Sequence, residues 1–132
     1  MELARRMFQH LADRRPARAV ECLQRDAEFD FTRSRGPNRG TFAGRARIQK
    51  SWEEVLGMWE EFVLEPHDFV GLDSGDLLFS IRGRMVGRDG IELTVRAAHI
   101  WEFTDGLISY ATFFQTREDA VRAAGLPAAS AS

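Results

Sequence analysis

Between Phe62 and Gln115 the chain carries four consecutive strand-like runs, Phe62 to Leu72, Leu77 to Gly87, Ile91 to Phe103 and Leu107 to Gln115. The links between them are Asp73-Ser74-Gly75-Asp76, Arg88-Asp89-Gly90 and Thr104-Asp105-Gly106, all short and turn-like. Links this short cannot carry a crossover, so the runs are expected to pair antiparallel as a meander. The remaining residues must then cover that sheet.

The rest of the chain supplies helices. Leu3, Met7, Phe8 and Leu11 recur at helical spacing, and Pro16 suits the first turn of a second helix bearing Ala19, Val20 and Leu23. Ala27 to Thr32 alternates as a short strand, and Thr32 to Gly44 reads as a long irregular stretch of the kind that is often functional. Arg45 to Glu61 predicts the longest helix, with Ile48, Trp52, Val55, Leu56 and Trp59 on one stripe. Thr116 opens a short last helix that stops at Gly125, and residues 128–132 read as a disordered tail. This order predicts one α+β domain over residues 1–127, in which helices cover one face of a bent sheet and leave a pocket at its mouth.

Composition removes several functions. With 18 basic against 20 acidic residues in 132, the chain lacks the net basic face that nucleic-acid binding needs. Lys50 is the only lysine, which leaves Schiff-base chemistry one residue on an expected surface helix. Cys22 is the only cysteine, so no intrachain disulfide forms. With no signal-like N-terminus and no apolar run of about 20 residues, the expectation is a cytoplasmic protein without a membrane span. Ten Phe and three Trp against one Tyr give an apolar aromatic set fit for a thick core or a greasy cavity.

The candidate chemistry centres on His99. Alternation places it with Val95, Ala97, Trp101 and Phe103, either as a satisfied core residue or as a proton-transfer group whose apolar surroundings keep it neutral. Asp30 lies between Phe29 and Phe31 and points away from their face by alternation, so it would join His99 only through a bulge. Arg33 opens the long loop with Ser34 and Arg35, as a clamp for a carboxylate or enolate oxygen or as an ordinary surface arginine. Trp52 or Trp59 would line the cavity with Phe29, Phe31, Phe79, Ile81, Met85, Trp101 and Phe113. Tyr110, Arg82, Arg84 and Arg96 fall on the other face. The three histidines lack zinc or iron spacing, no nucleotide-binding glycine motif is present, and neither metal nor cofactor is expected.

The element order, the Gly40-Thr41-Phe42-Ala43-Gly44-Arg45 lead into the long helix, the segment Trp101 to Ile108 and the ending Arg117 to Leu126 resemble the SnoaL-like branch of the NTF2-like superfamily. The resemblance implies an NTF2-like (cystatin-like) cone: a curved antiparallel sheet packed on a long helix, with two N-terminal helices and a short C-terminal helix. It also implies a homodimer through the sheet and a small hydrophobic ligand. Alignment with ketosteroid isomerases puts their protonated acid at His99, their base at about Phe31 beside Asp30, and their tyrosine near Met7. The Arg with two Asp of the epoxide hydrolases and the paired His of scytalone dehydratase have no counterpart. The expected activity is therefore cofactor-independent proton transfer, a cyclisation or isomerisation of a small hydrophobic carbonyl compound, with His99 as shuttle and Asp30 or Arg33 assisting. The competing expectation is a non-catalytic binding or assembly domain.

Overall fold

In a computed structural model, residues 1–34 and 40–127 are described. Arg35 of the long loop and the tail at 128–132 lie outside them. Helix α1, Glu2–Ala12, buries Ala4, Met7, Phe8 and Leu11, the stripe its spacing announces. Helix α2, Pro16–Ala19, is only one turn long and passes through a 3₁₀ turn at Val20–Cys22 into strand β1, Leu23–Asp30. Leu23 is thus extended rather than helical: it pairs with Ile108, and its carbonyl accepts a 2.9 Å bond from Arg45 Nε.

Strand β2, Thr41–Ala43, forms within the stretch expected to be irregular and pairs antiparallel with β1. Helix α3, Arg45–Met58, stops short of the expected Glu61, and Trp59 instead begins strand β3, Trp59–Gly71. Arg14 explains the boundary. Its guanidinium donates to the carbonyls of Leu56, Trp59 and Glu60, taking up acceptors that the end of a helix leaves open.

Strands β4, Leu77–Gly87, β5, Glu92–Thr104, and β6, Leu107–Phe114, complete the expected antiparallel meander with β3. The sheet order is β2-β1-β6-β5-β4-β3. One pair departs from the antiparallel expectation: β1 runs parallel to β6. Most of the chain lies between these two strands, and such a long connection is what a parallel pairing requires.

Two features shape the β3–β4 side of the curved sheet. The register shifts between His67 and Val70, where Asp68 takes a positive φ of 54°, a bulge that bends the strand. At Gly83 a Cβ would collide with the Val63 carbonyl and Leu64, so glycine permits a close approach of strand to strand.

The concave face carries the main core, where α1, α2 and α3 meet Leu23, Ala27, Phe29, Phe79, Ile81, Trp101, Ile108 and Ala111. The convex face carries a smaller cluster, Leu78, Ala98 and Phe114, under Ala120 and Val121 of helix α4, Arg117–Ala123. Thr116 caps α4 by accepting from the Asp119 N–H at 3.1 Å. Among the described residues no helix is long and apolar enough to cross a membrane.

Candidate functional site

His99 sits in the middle of β5, opposite Phe79 on β4 and Phe113 on β6. The pleat directs all three toward the concave face, where α1 brings Phe8 down from above. Ring centroids lie 4.2 Å from His99 at Phe113, 5.3 Å at Phe79 and 5.9 Å at Phe8. The imidazole is 5% exposed, and its Nδ1 has no hydrogen-bond partner. Burial alone lowers its pKa from 6.5 to about 3, so it is a neutral imidazole at physiological pH.

Trp101 follows two residues later on the same face and is fully enclosed. Phe8 stacks on it at 6.0 Å, and Phe79 meets it edge-on at 4.7 Å. Its Nε1–H is the other buried side-chain polar atom without a partner among the described residues. Buried unpaired donors or acceptors each cost roughly 1–3 kcal/mol, and native chains leave few of them. Two in one aromatic nest mark the spot where the inner face has hydrogen-bonding capacity to offer.

The other two catalytic candidates lie elsewhere. Asp30 pairs with Thr112, which pairs with Ile100, a row on the convex face, one pleat away from His99. The bulge that would have turned it inward is absent at this position. Its carboxylate accepts from the Thr32 N–H at 2.9 Å, the Thr32 hydroxyl at 2.6 Å and the Tyr110 hydroxyl at 2.8 Å. Partial burial pushes the Asp30 pKa up, but these bonds and the nearby Arg33 charge outweigh it, and the net shift is downward. Tyr110 is pushed up to about 12, first by its bond to Asp30 and then by burial. Arg33 lies over the Phe114 ring at 5.7 Å, also on the convex side, so neither Asp30 nor Arg33 is brought to His99.

The expected cavity lining divides. Phe29, Phe79, Ile81 and Trp101 are core, and Phe31, Trp52 and Phe113 are half-buried against them. Trp59 is displaced, because with α3 ending early it flanks a shallow surface hollow with Met58, Gly87 and Ile91. Met85 is half-buried and lies outside the core cluster, paired with Leu93 toward the β4–β5 turn. His99 is absent from the lining of five hollows formed by described residues. Sequence patterning placed Phe8 on the buried stripe of α1 but had no signal for its position over His99. Among the described residues no group of three or more His, Cys, Asp or Glu is placed to hold a metal ion.

The SnoaL-like domain model matches residues 4–111, most of the chain. The chain belongs to the SnoaL-like domain family. No curated protein matches it. Solved structures similar to this SnoaL-like domain share its fold at low identity. One, from Catenulispora acidiphila, is a hypothetical protein of ketosteroid isomerase-like fold in complex with trimethylamine, 12% identical, with a TM-score of 0.74 over 97% of this chain and 95% of that one. Another is the epoxide hydrolase/cyclase-like enzyme SalBIII, which has a role in pyran ring formation in the polyether salinomycin: 15% identical, TM-score 0.72, over 86% and 87% of the two chains. A third is TerC, co-crystallised with polyporic acid, 16% identical, TM-score 0.73, over 94% and 96%.

Proposed function

We propose that this SnoaL-like domain performs cofactor-independent acid–base chemistry on a small hydrophobic carbonyl compound, an isomerisation or cyclisation, at the His99 side of its concave face. The observation that carries the reading is the pair of buried, unpartnered polar atoms, His99 Nδ1 and Trp101 Nε1, on one strand face amid aromatic rings. Trp101 can only donate, and it would hold the carbonyl oxygen of a substrate that displaces the Phe8 ring now stacked on it. His99 would take a proton from the carbon next to the carbonyl and return it to another atom of the same substrate, which leaves the protein unchanged at the end of the cycle. An imidazole of pKa about 3 is a weak base alone, but the enolate formed beside it favours the imidazolium by opposite charge. The phenylalanine wall would exclude water and orient the ring system of the substrate.

SalBIII, a cyclase-like enzyme on the same fold, supports the reaction class, and TerC with polyporic acid supports a small-molecule ligand. The test is exchange of the α-protons of 2-tetralone into heavy water, followed by NMR. The wild type is expected to exceed the buffer rate, and His99→Gln to lose about a hundredfold of that excess. Exchange at the buffer rate with the wild type overturns the proposal. The tight aromatic packing on His99 favours a second reading, a binding domain without turnover, which gains if 2-tetralone binds but does not exchange.

A homodimer across the convex face is part of the same proposal. Its support is the charge pattern there: Arg84 bonds both Glu61 oxygens at 2.9 Å and reaches Glu92 at 3.4 Å, beside the exposed Val63. Mixed charges around a small apolar centre suit the self-complementary contact that a two-fold axis requires.

A further inference from the structure

A concavity of about 390 Å³ opens on the convex face where β3, β4 and β5 meet the start of α4. His67, Ser80, Arg82, Arg96, Gln115, Thr116 and Arg117 contribute its polar lining, and among the described residues no carboxylate lines it. Arg82 and Arg96 are direct cross-strand partners, an arrangement of like charges that weakens a sheet. Glu65 reaches Arg82 only from outside the cleft, at 3.7 Å, and Arg96 has no ion pair among the described residues.

Arg117 is fixed in place by the rest of the fold. Its Nη1 donates at 2.9 Å to the carbonyl of Asp68, the bulge residue with positive φ, and at 2.7 Å to Ser80 Oγ, which is 6% exposed. The bulge, the buried serine and the guanidinium thus form one supported wall, and the Arg82–Arg96 pair forms the other. A guanidinium held in position loses little freedom when an anion arrives, and its planar fork matches an oxoanion.

We infer that this cleft is a binding site for a small oxoanion, a carboxylate or a phosphate, held between Arg96, Arg82 and Arg117 with hydroxyls of Ser80 and Thr116 at its edge. The site lies on the face opposite His99 and does not depend on the acid–base proposal. An occupant would also relieve the repulsion between Arg82 and Arg96, so anion binding and sheet stability are coupled.

The test titrates the full chain with inorganic phosphate and with benzoate, by calorimetry and by amide NMR. At least one probe is expected to saturate, with shifts at Ser80, Gln115 and Thr116, and to raise the melting temperature. Arg96→Gln should weaken binding about tenfold, Arg96→Lys less, and Arg88→Gln, in the β4–β5 turn, not at all. Circular dichroism of each variant confirms that it folds. Failure of both probes to saturate at millimolar concentration, or unchanged binding in Arg96→Gln, overturns the inference. So does a dimer that Arg96→Gln dissociates while neither probe binds, because the cleft then receives an acidic side chain from a second copy.

Discussion

A histidine that is neutral and unbonded when folded, but free to take a proton when unfolded, ties stability to pH in a definite direction. The folded pKa of His99 is below its unfolded value, so the unfolded chain binds the extra proton. Its contribution is complete above pH 6.5 and is lost as pH falls toward about 3. The expected loss is roughly 2 kcal/mol between pH 6.5 and pH 5, read from urea unfolding at each pH. His99→Phe should remove that component and add roughly 1 kcal/mol at pH 7, because an unpartnered buried nitrogen goes with it. A variant less stable than wild type at pH 7 would show that the imidazole is a satisfied structural residue. Alternation alone located His99 on the inner face beside Trp101. What the linear pattern could not show is that both lack partners, since that depends on where α1 sets Phe8. Asp30 shows the converse: its outward direction was legible from Phe29 and Phe31, and the inward turn required a bulge that forms elsewhere, at Asp68.

The elements that sequence patterning placed well are those whose period continues through many residues. The β3 to β6 meander is of this kind, because its links carry Gly and Asp where turns need them. The boundaries it misplaced depend on partners remote in the chain. Trp59 continues the α3 stripe by spacing, yet Arg14 ends that helix from another part of the chain, and β2 exists only because β1 is beside it. Arg14→Ala is therefore expected to lower stability by about 1 kcal/mol and to increase amide exchange in the last turn of α3, detected by hydrogen-exchange mass spectrometry. Gly83 supplies a sharper test within β4. Gly83→Ala puts a methyl against the Val63 carbonyl, and the expected loss is about 2 kcal/mol in thermal or urea unfolding. A neutral result would mean that β3 and β4 can separate without penalty at that point.

At the scale of the whole molecule, the two faces of one sheet divide the chemistry. The concave face is aromatic and holds two unpaired polar atoms, while the convex face is charged, with paired arginines toward the β3 edge and α4 at the other end. If a second copy docks on the convex face, Val63→Glu places a third carboxylate between Glu61 and Glu65. It should weaken association at least tenfold in sedimentation velocity, without altering circular dichroism. A wild type that sediments as a monomer at its highest soluble concentration removes the dimer from the proposal. The order of helices and strands made the α+β plan legible and the family resemblance its cone, whereas the oxoanion cleft was not legible, because His67, Ser80, Arg96 and Arg117 come from four separate elements.

The parallel contact between β1 and β6 has a consequence for how the chain is made. Strand β1 leaves the ribosome well before its neighbour β6, because β2, α3 and the strands β3 to β5 are all made between them. Until then, Phe29 and Ala27 face a concave surface that is not yet built, with one long edge of β1 open. The meander and its turns can form from local contacts, but the junction with β1 closes the longest loop in the molecule and is expected to form last. The same sheet thus has a fast half and a slow half, and the seam between them is where a nascent or heated chain is most exposed to pairing with the wrong strand.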